Sequence, residues 1–273
     1  MFFDLSKSLD KTLSTRPIDF YIQNGRPTLE LDHPLVIFCD EETKPLLEPI
    51  RGNRSTTYIV KSIFEYDYVK SLLPIIIKNR ETHPSCDIRN TPSYFLLTFF
   101  KCISLHLAKQ QIQADTYMWL DFGISHIVRD FPNGLWPILN NPRPKIGLCY
   151  VHYRSKQELY PMKKYLAHGG YCAIAAGMFT VESNFVDKLY MEMMSILYEQ
   201  VGQGIGHSDE QVMIYVYDRH PEWFSLFFGD YYSLITNYHH GKEDKQSIQT
   251  FFIQNAMQDN RNDLAEQAKN YMV

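Results

Sequence analysis

Apolar positions recur every three or four residues most clearly between residues 183 and 200. They fall at Phe185, Val186, Leu189, Tyr190, Met193, Met194, Leu197 and Tyr198, a spacing that predicts a helix buried on one side. A second helix is predicted from Thr91 as N-cap and Pro92 as first helical residue, with apolar residues continuing to about Ala108. Short apolar runs predict strands over residues 35–39, 56–63, 145–153 and 171–182, and in "TYMWL", which ends at Asp121. The first two strands lie too close together for a parallel unit with a full crossover helix, so the first half reads strand, strand, helix, strand. After a loop with Gly202, Gly204 and Gly206, Ser208 and Gln211 form a capping-box signature that predicts one more helix. From Lys245 onward, Phe251, Phe252, Ile253, Met257 and Leu264 among balanced charges predict a terminal helix packed on the body. A membrane-surface helix would be basic on its polar face.

Composition narrows the classes this pattern can serve. The 273 residues suffice to bury one core, and 45% hydrophobic residues with 19 Tyr and 17 Phe exclude a disordered chain. Lys plus Arg number 27 against 31 Asp plus Glu, a net charge of -4, which argues against nucleic acid as a partner. Five cysteines without a Cys-x-x-Cys pair read as reduced thiols in a cytoplasmic protein. Asp4 interrupts the start and no cationic segment leads an apolar one, so a signal peptide is not expected. The longest apolar window, "SYFLLTFFKCISLHLA", carries Lys101 at its centre and is too short to span a membrane. A peripheral visit to a membrane surface stays open.

Four places carry residue types suited to chemistry. Asp121 ends an apolar strand before Phe122 and Gly123, a position that can hold a metal or substrate at the carboxyl edge of a sheet and also an ordinary strand end. In "GHSDEQ", His207, Ser208 and Asp209 stand side by side, but Glu210 occupies the last glycine position of a nucleophile elbow. Ser208 as cap, with Asp209 and Glu210 favoured by the helix dipole, explains the same residues without chemistry. Adjacent His239 and His240 read as surface histidines or as metal ligands. Gly169, Gly170 and Gly177 interrupt an apolar run, where a ligand or another backbone approaches closely.

Four stretches in this order, "LVIFCDEET", "PSYFLLTFFKCISLHLA" leading to "YMWLDFG", "GGYCAIAAGMF" and "HSDEQVMIYVY", resemble the HtrL/YibB-like family, read as glycosyltransferases, and more distantly the GT-A group of nucleotide-sugar enzymes. The resemblance implies an α/β fold of GT-A type, a Rossmann-like mixed central sheet flanked by helices in a single domain. It implies a nucleotide-sugar half at about 1–125, an acceptor half at about 126–244 and a C-terminal helix at about 245–273. It also implies transfer of a sugar from a nucleoside diphosphate donor, UDP first, to a hydroxyl of a glycan or glycolipid, as in polysaccharide biosynthesis. Asp121 stands at the metal-site motif, with His239 or His240 completing the shell of Mn2+ or, in second place, Mg2+. Asp4, Asp40, Lys101 and Gly177 would meet the donor, and Asp209 or Glu210 would deprotonate the acceptor. Gly123 replaces the second acid of the Asp-x-Asp motif, and "MFFDL" resembles the tail of a first strand with little before it. Rival readings are a nucleotidyl or phosphoryl transferase, which lacks a phosphate-cradling loop here, and a carbohydrate-binding scaffold without turnover.

Overall fold

The computed structural model describes residues 1–3, 5, 10, 17–84, 90–167, 172–206 and 208–273. Helix α1 (Ile18–Leu29) leads into β1 (Leu35–Cys39), α2 (Lys44–Arg51) and β2 (Thr56–Val60). β1 and β2 pair in parallel, with Leu35 opposite Thr56 and Cys39 opposite Val60. The expectation of two strands with little between them is thus corrected: the eight residues of α2 make the crossover. Arg51, at its last position, is buried, and its guanidinium donates to the carbonyls of Leu29, Leu31, His33 and Ser55 and to Thr56 Oγ1. One side chain therefore ties α1, the loop after it and the start of β2 together.

Helices α3 (Asp67–Thr82) and α4 (Pro92–Gln111) follow, the second starting as its sequence predicts, with Thr91 Oγ1 accepting from the Tyr94 N–H. α4 is buried almost all round, which its near-continuous apolar sequence requires. It delivers the chain to β3 (Thr116–Leu120), then α5 (Leu135–Asn140), β4 (Ile146–Tyr150), α6 (Lys156–Leu159) and α7 (Met162–Ala167). β5 (Ile174–Glu182) runs straight into α8 (Ser183–Gly202), and α9 (Asp209–Arg219) precedes β6 (Phe224–Phe228). Ser208 takes the N-cap position of α9 but makes no cap bond to the backbone; its hydroxyl bonds the Gln211 side chain instead.

The strands form two sheets, β1-β2 and β3-β5-β4-β6. In the larger, β5 runs antiparallel to both β3 and β4, and β6 runs parallel to β4. The fold is therefore mixed α/β in a single domain, with two sheets where one central sheet was expected, because no backbone bond joins β1 to β3 among the described residues. Tyr117 and Trp119 of β3 join a large core with α3, α4, α8 and α9, while Met118 and Leu120 face a smaller core with Leu135, Ile138 and Phe227. The C-terminal segment departs from the single helix expected: α10 (Lys245–Ser247) passes through a π-turn over Ile248–Ile253 into α11 (Gln254–Gln258), and α12 (Asn262–Tyr271) folds back separately. No described helix is long and apolar enough to cross a membrane.

Candidate functional site

Lys101 projects from the middle of α4 into the carboxyl end of the larger sheet. Its Nζ lies 3.3 Å from Asp121 Oδ1 and 3.1 Å from Asp209 Oδ2, and donates to the Ala176 carbonyl at 3.2 Å. Burial pulls the ammonium down, but the carboxylates of Asp121, Asp209 and Glu210 outweigh it and hold the group protonated well above the usual lysine range. Asp209, 1% exposed at the first turn of α9, is pushed the other way. Burial raises it, Lys101 pulls it back, and Glu210 and Asp121 add repulsion, leaving it at about 7. Its Oδ2 has the ammonium as ion-pair partner but no well-directed hydrogen bond, while its backbone N–H donates to Thr98 Oγ1 at 3.2 Å.

Asp121 is half-open to solvent. Trp119, two residues earlier and so on the same side of the strand, donates from Nε1 to Oδ1 at 2.7 Å. The Asp121 N–H bonds the Gly177 carbonyl at 2.8 Å, and its own carbonyl accepts from Ile124 N. Oδ2 points toward Gly177, where an added Cβ would sit 3.6 Å away in ordinary contact. Gly123 has a φ of -98°, a backbone any residue adopts, so the turn itself does not require the glycine.

Glu210 lies partly exposed beside Ala176, the residue before Gly177. Oε1 accepts from the Ala176 N–H at 3.0 Å, and Oε2 accepts from Tyr231 Oη at 3.1 Å and from Cys172 Sγ at 3.4 Å. Burial and Glu210 together keep the Tyr231 phenol and the Cys172 thiol protonated, the latter pushed up to about 12. At the start of α4, burial of the phenol raises Tyr94, Lys101 opposes the rise, and Asp121, Asp209 and Glu210 add to it.

The structure thus brings together Lys101, Asp121, Gly177, Asp209 and Glu210 from α4, β3, β5 and α9. It leaves others elsewhere. Asp40 ends β1 and spends Oδ1 on the Thr43 N–H and hydroxyl, which opens α2. His239 Nε2 contacts the Pro137 carbonyl at 3.2 Å, and burial lowers its pKa. Asp4, His207, Gly169 and Gly170 lie outside the described residues. Trp119, Thr98 and Tyr231 were missed by sequence reasoning. Trp119 was legible, since the Trp-x-Asp spacing puts both side chains on one face; Tyr231 gave no sign.

To a divalent ion the site offers Asp121 through Oδ2, a single carboxylate oxygen in place of a full shell. Among the described residues no three His, Cys, Asp or Glu converge. Asp121 keeps one oxygen for Trp119 and Lys101, and the ammonium already supplies the cation among the acids. What the arrangement can do is bind an anionic or hydroxyl-rich ligand against Lys101 and Asp121, with Glu210 placed to take a proton.

The family described as a bacterial protein of unknown function, HtrL_YibB, matches residues 1–239. Protein HtrL of Escherichia coli (strain K12) is 23% identical over 239 residues, covering 77% of this chain and 78% of that protein. No solved structure gives a significant match.

Proposed function

The chain belongs to the HtrL_YibB family, bacterial proteins of unknown function, and we propose that it is a glycosyltransferase of GT-A type. It moves a sugar from a nucleoside diphosphate to a hydroxyl of a glycan or glycolipid. The observation that carries this reading is the buried Lys101 ammonium set against half-open Asp121 at the carboxyl end of β3. Departure of a nucleoside diphosphate places its largest demand on stabilising negative charge, and a pre-positioned cation in a low-dielectric setting supplies that without reorganisation.

The acids divide the work. Asp209 is buried under Lys101 and holds it in place. Glu210 is reachable, is fixed by the Ala176 N–H and Tyr231, and takes the proton as the acceptor oxygen attacks the anomeric carbon and the diphosphate leaves. Gly177, beside Asp121 Oδ2, would line the sugar site. Mn2+ or Mg2+ would arrive on the donor diphosphate and meet the protein at Asp121 Oδ2.

Titration calorimetry with UDP and GDP, with manganese and then with a chelator, tests this on the wild type and on Asp121→Asn. Nucleotide binding weakened at least about tenfold by the substitution, about 1.4 kcal/mol, followed by UDP release from a nucleotide sugar, is the expected result. A folded wild type that binds neither nucleotide removes the transferase reading. Glycan binding that Asp121→Asn leaves intact, without donor turnover, replaces it with a binding scaffold.

A further inference from the structure

The larger sheet carries a second polar recess on the edge that holds Asp121. β5 runs antiparallel to β3 and β4, and β6 runs parallel to β4, so β3, β4 and β6 all end on that edge. Asp121 follows β3, Tyr231 follows β6, and residues 151–155 follow β4. The start of β5 links the two places. Glu210 accepts from the Ala176 N–H, and three residues earlier the Ala173 carbonyl accepts from the N–H groups of Val151 and His152 at 2.8 and 3.2 Å.

Beyond β4, Tyr153, Arg154, Ser155 and Glu158 form one wall of a cavity of about 310 Å³, and Asn255, Gln258 and Asp259 form the other. Every lining side chain ends in a polar group, and the volume falls within the range of small-ligand sites. The first wall is fixed from within. Ser155 and Glu158 make the capping box of α6, and Arg154 Nη1 donates to Glu158 Oε1 at 3.2 Å. Buried Tyr153 ties the walls together, its phenol donating to Asp259 Oδ2 and its N–H to the Phe251 carbonyl at 3.1 Å.

Asn255, Gln258 and Asp259 stand at i, i+3 and i+4, which puts three planar polar groups on one face at the end of α11. Asn255 spends one N–H on the Phe251 carbonyl, which fixes its amide. Phe251 lies four residues earlier, in the π-turn, 46% exposed and with its ring 4.9 Å from that of His152. One helix face thus offers a flat apolar ring, then two amides and a carboxylate.

That combination discriminates among ligands. Each amide carries donors and an acceptor, matching a sugar hydroxyl that is itself both, and an exposed ring suits the apolar face of a pyranose. Glu158 and Asp259 outnumber Arg154 in the lining, which disfavours a phosphate or another anion. Both carboxylates already accept from Arg154, Ser155 or Tyr153, which disfavours a bare cation. An apolar ligand would leave the amides unpaired.

We infer that this recess is a subsite for a neutral oligosaccharide, bonded by Asn255, Gln258 and Asp259 and stacked on Phe251. The role of that sugar rests on the transferase reading: it is the far end of the glycan acceptor whose hydroxyl reaches Glu210. Three residues of extended chain, about 10 Å, separate Ala176 from Ala173, so an oligosaccharide reaches both places and a single sugar does not.

Titration calorimetry of the full chain with cellotetraose, maltotetraose and chitotetraose tests it. The forms compared are the wild type, Asn255→Ala with Gln258→Ala, Phe251→Leu, and Asp121→Asn. The three recess positions are exposed, so melting temperature and UDP binding should stay at wild type in both recess variants. At least one tetrasaccharide should bind the wild type and Asp121→Asn alike, and each recess variant should weaken it at least about tenfold, through two lost hydrogen bonds or a lost stacking face. Failure of all three tetrasaccharides to bind overturns the inference, as does an affinity that either recess variant leaves unchanged. Recess-dependent binding in a chain that binds no nucleotide removes the transferase reading and leaves the subsite standing.

Discussion

Lys101 sets the physical character of the site, because its charge is buried where only the acids around it make that burial tolerable. Replacing it with methionine at pH 8 removes the charge that pulls Asp209 down, so the buried acid must either stay ionised without its ion pair or take up a proton, which should cost about 3–5 kcal/mol of stability. At pH 5 the loss should be smaller, since Asp209, at about 7 in the fold, is then neutral. The wild type carries the same linkage. A carboxyl raised from 3.8 to about 7 by burial contributes stability below pH 4 that is lost as pH rises through 7. Urea unfolding from pH 4 to 8 should therefore show wild type falling against Asp209→Asn by about 1–4 kcal/mol across that window and holding a constant difference above it. A constant difference throughout would mean that Asp209 stays ionised in the fold. Trp119 and Thr98 act on the same cluster at one remove, holding Asp121 and the α9 backbone in place.

The elements that position this cluster depend on two contacts of opposite kind. Arg51 satisfies four backbone carbonyls from its buried guanidinium. Arg51→Leu should cost about 2–5 kcal/mol by leaving them unpaired, and Arg51→Lys should not restore it because a point ammonium lacks the fork; urea midpoints at fixed slope read both. Gly25 is the second contact, since a Cβ there would lie 2.2 Å from the Phe122 ring. Gly25→Ala should displace Phe122, the residue after Asp121, costing about 1–3 kcal/mol and weakening nucleotide binding measured by calorimetry, whereas Gly123→Ala, in ordinary contact, should leave stability near wild type. β1, α4, β3 and α8 were legible because period and capping both pointed to them. Helices α1, α2 and α3 were not, since Pro27, Pro49 and Pro74 lie inside them and read as breaks. In α3 the burial of Val69, Leu72, Leu73 and Ile76 outweighs the proline at its middle. Arg51 could not be foreseen, because one arginine in "EPIRGNR" looks like any solvated charge. The site was legible in its members more than in their roles: Lys101, Asp121, Gly177, Asp209 and Glu210 were all singled out, but the depth of Asp209 depends on how α9 docks against α4.

At the scale of the whole molecule, the last 29 residues, 245–273, lie beyond the stretch matched by the family, which ends at residue 239. They are nonetheless part of the large core. Ile248, Phe252, Ile253, Ala256, Leu264, Ala265 and Ala268 are buried there. The Phe252 ring lies 4.7 Å from those of Tyr150 and Phe228, at the ends of the neighbouring strands β4 and β6. Tyr271 returns to the body, its carbonyl accepting from Gly241 N–H at 3.0 Å. Each large apolar side chain buried this way contributes about 1.5–3 kcal/mol, against a total stability of about 5–15 kcal/mol for a folded protein. Ending the chain after Asp244 should therefore yield protein that aggregates or binds a hydrophobic dye, with Tyr150 and Phe228 uncovered. Phe252→Ala keeps the tail and makes the same point in soluble protein, with an expected loss of about 3–5 kcal/mol in urea unfolding. A truncated chain that melts at the wild-type temperature would show that the core closes without the tail, and the Phe252→Ala loss should then vanish with it.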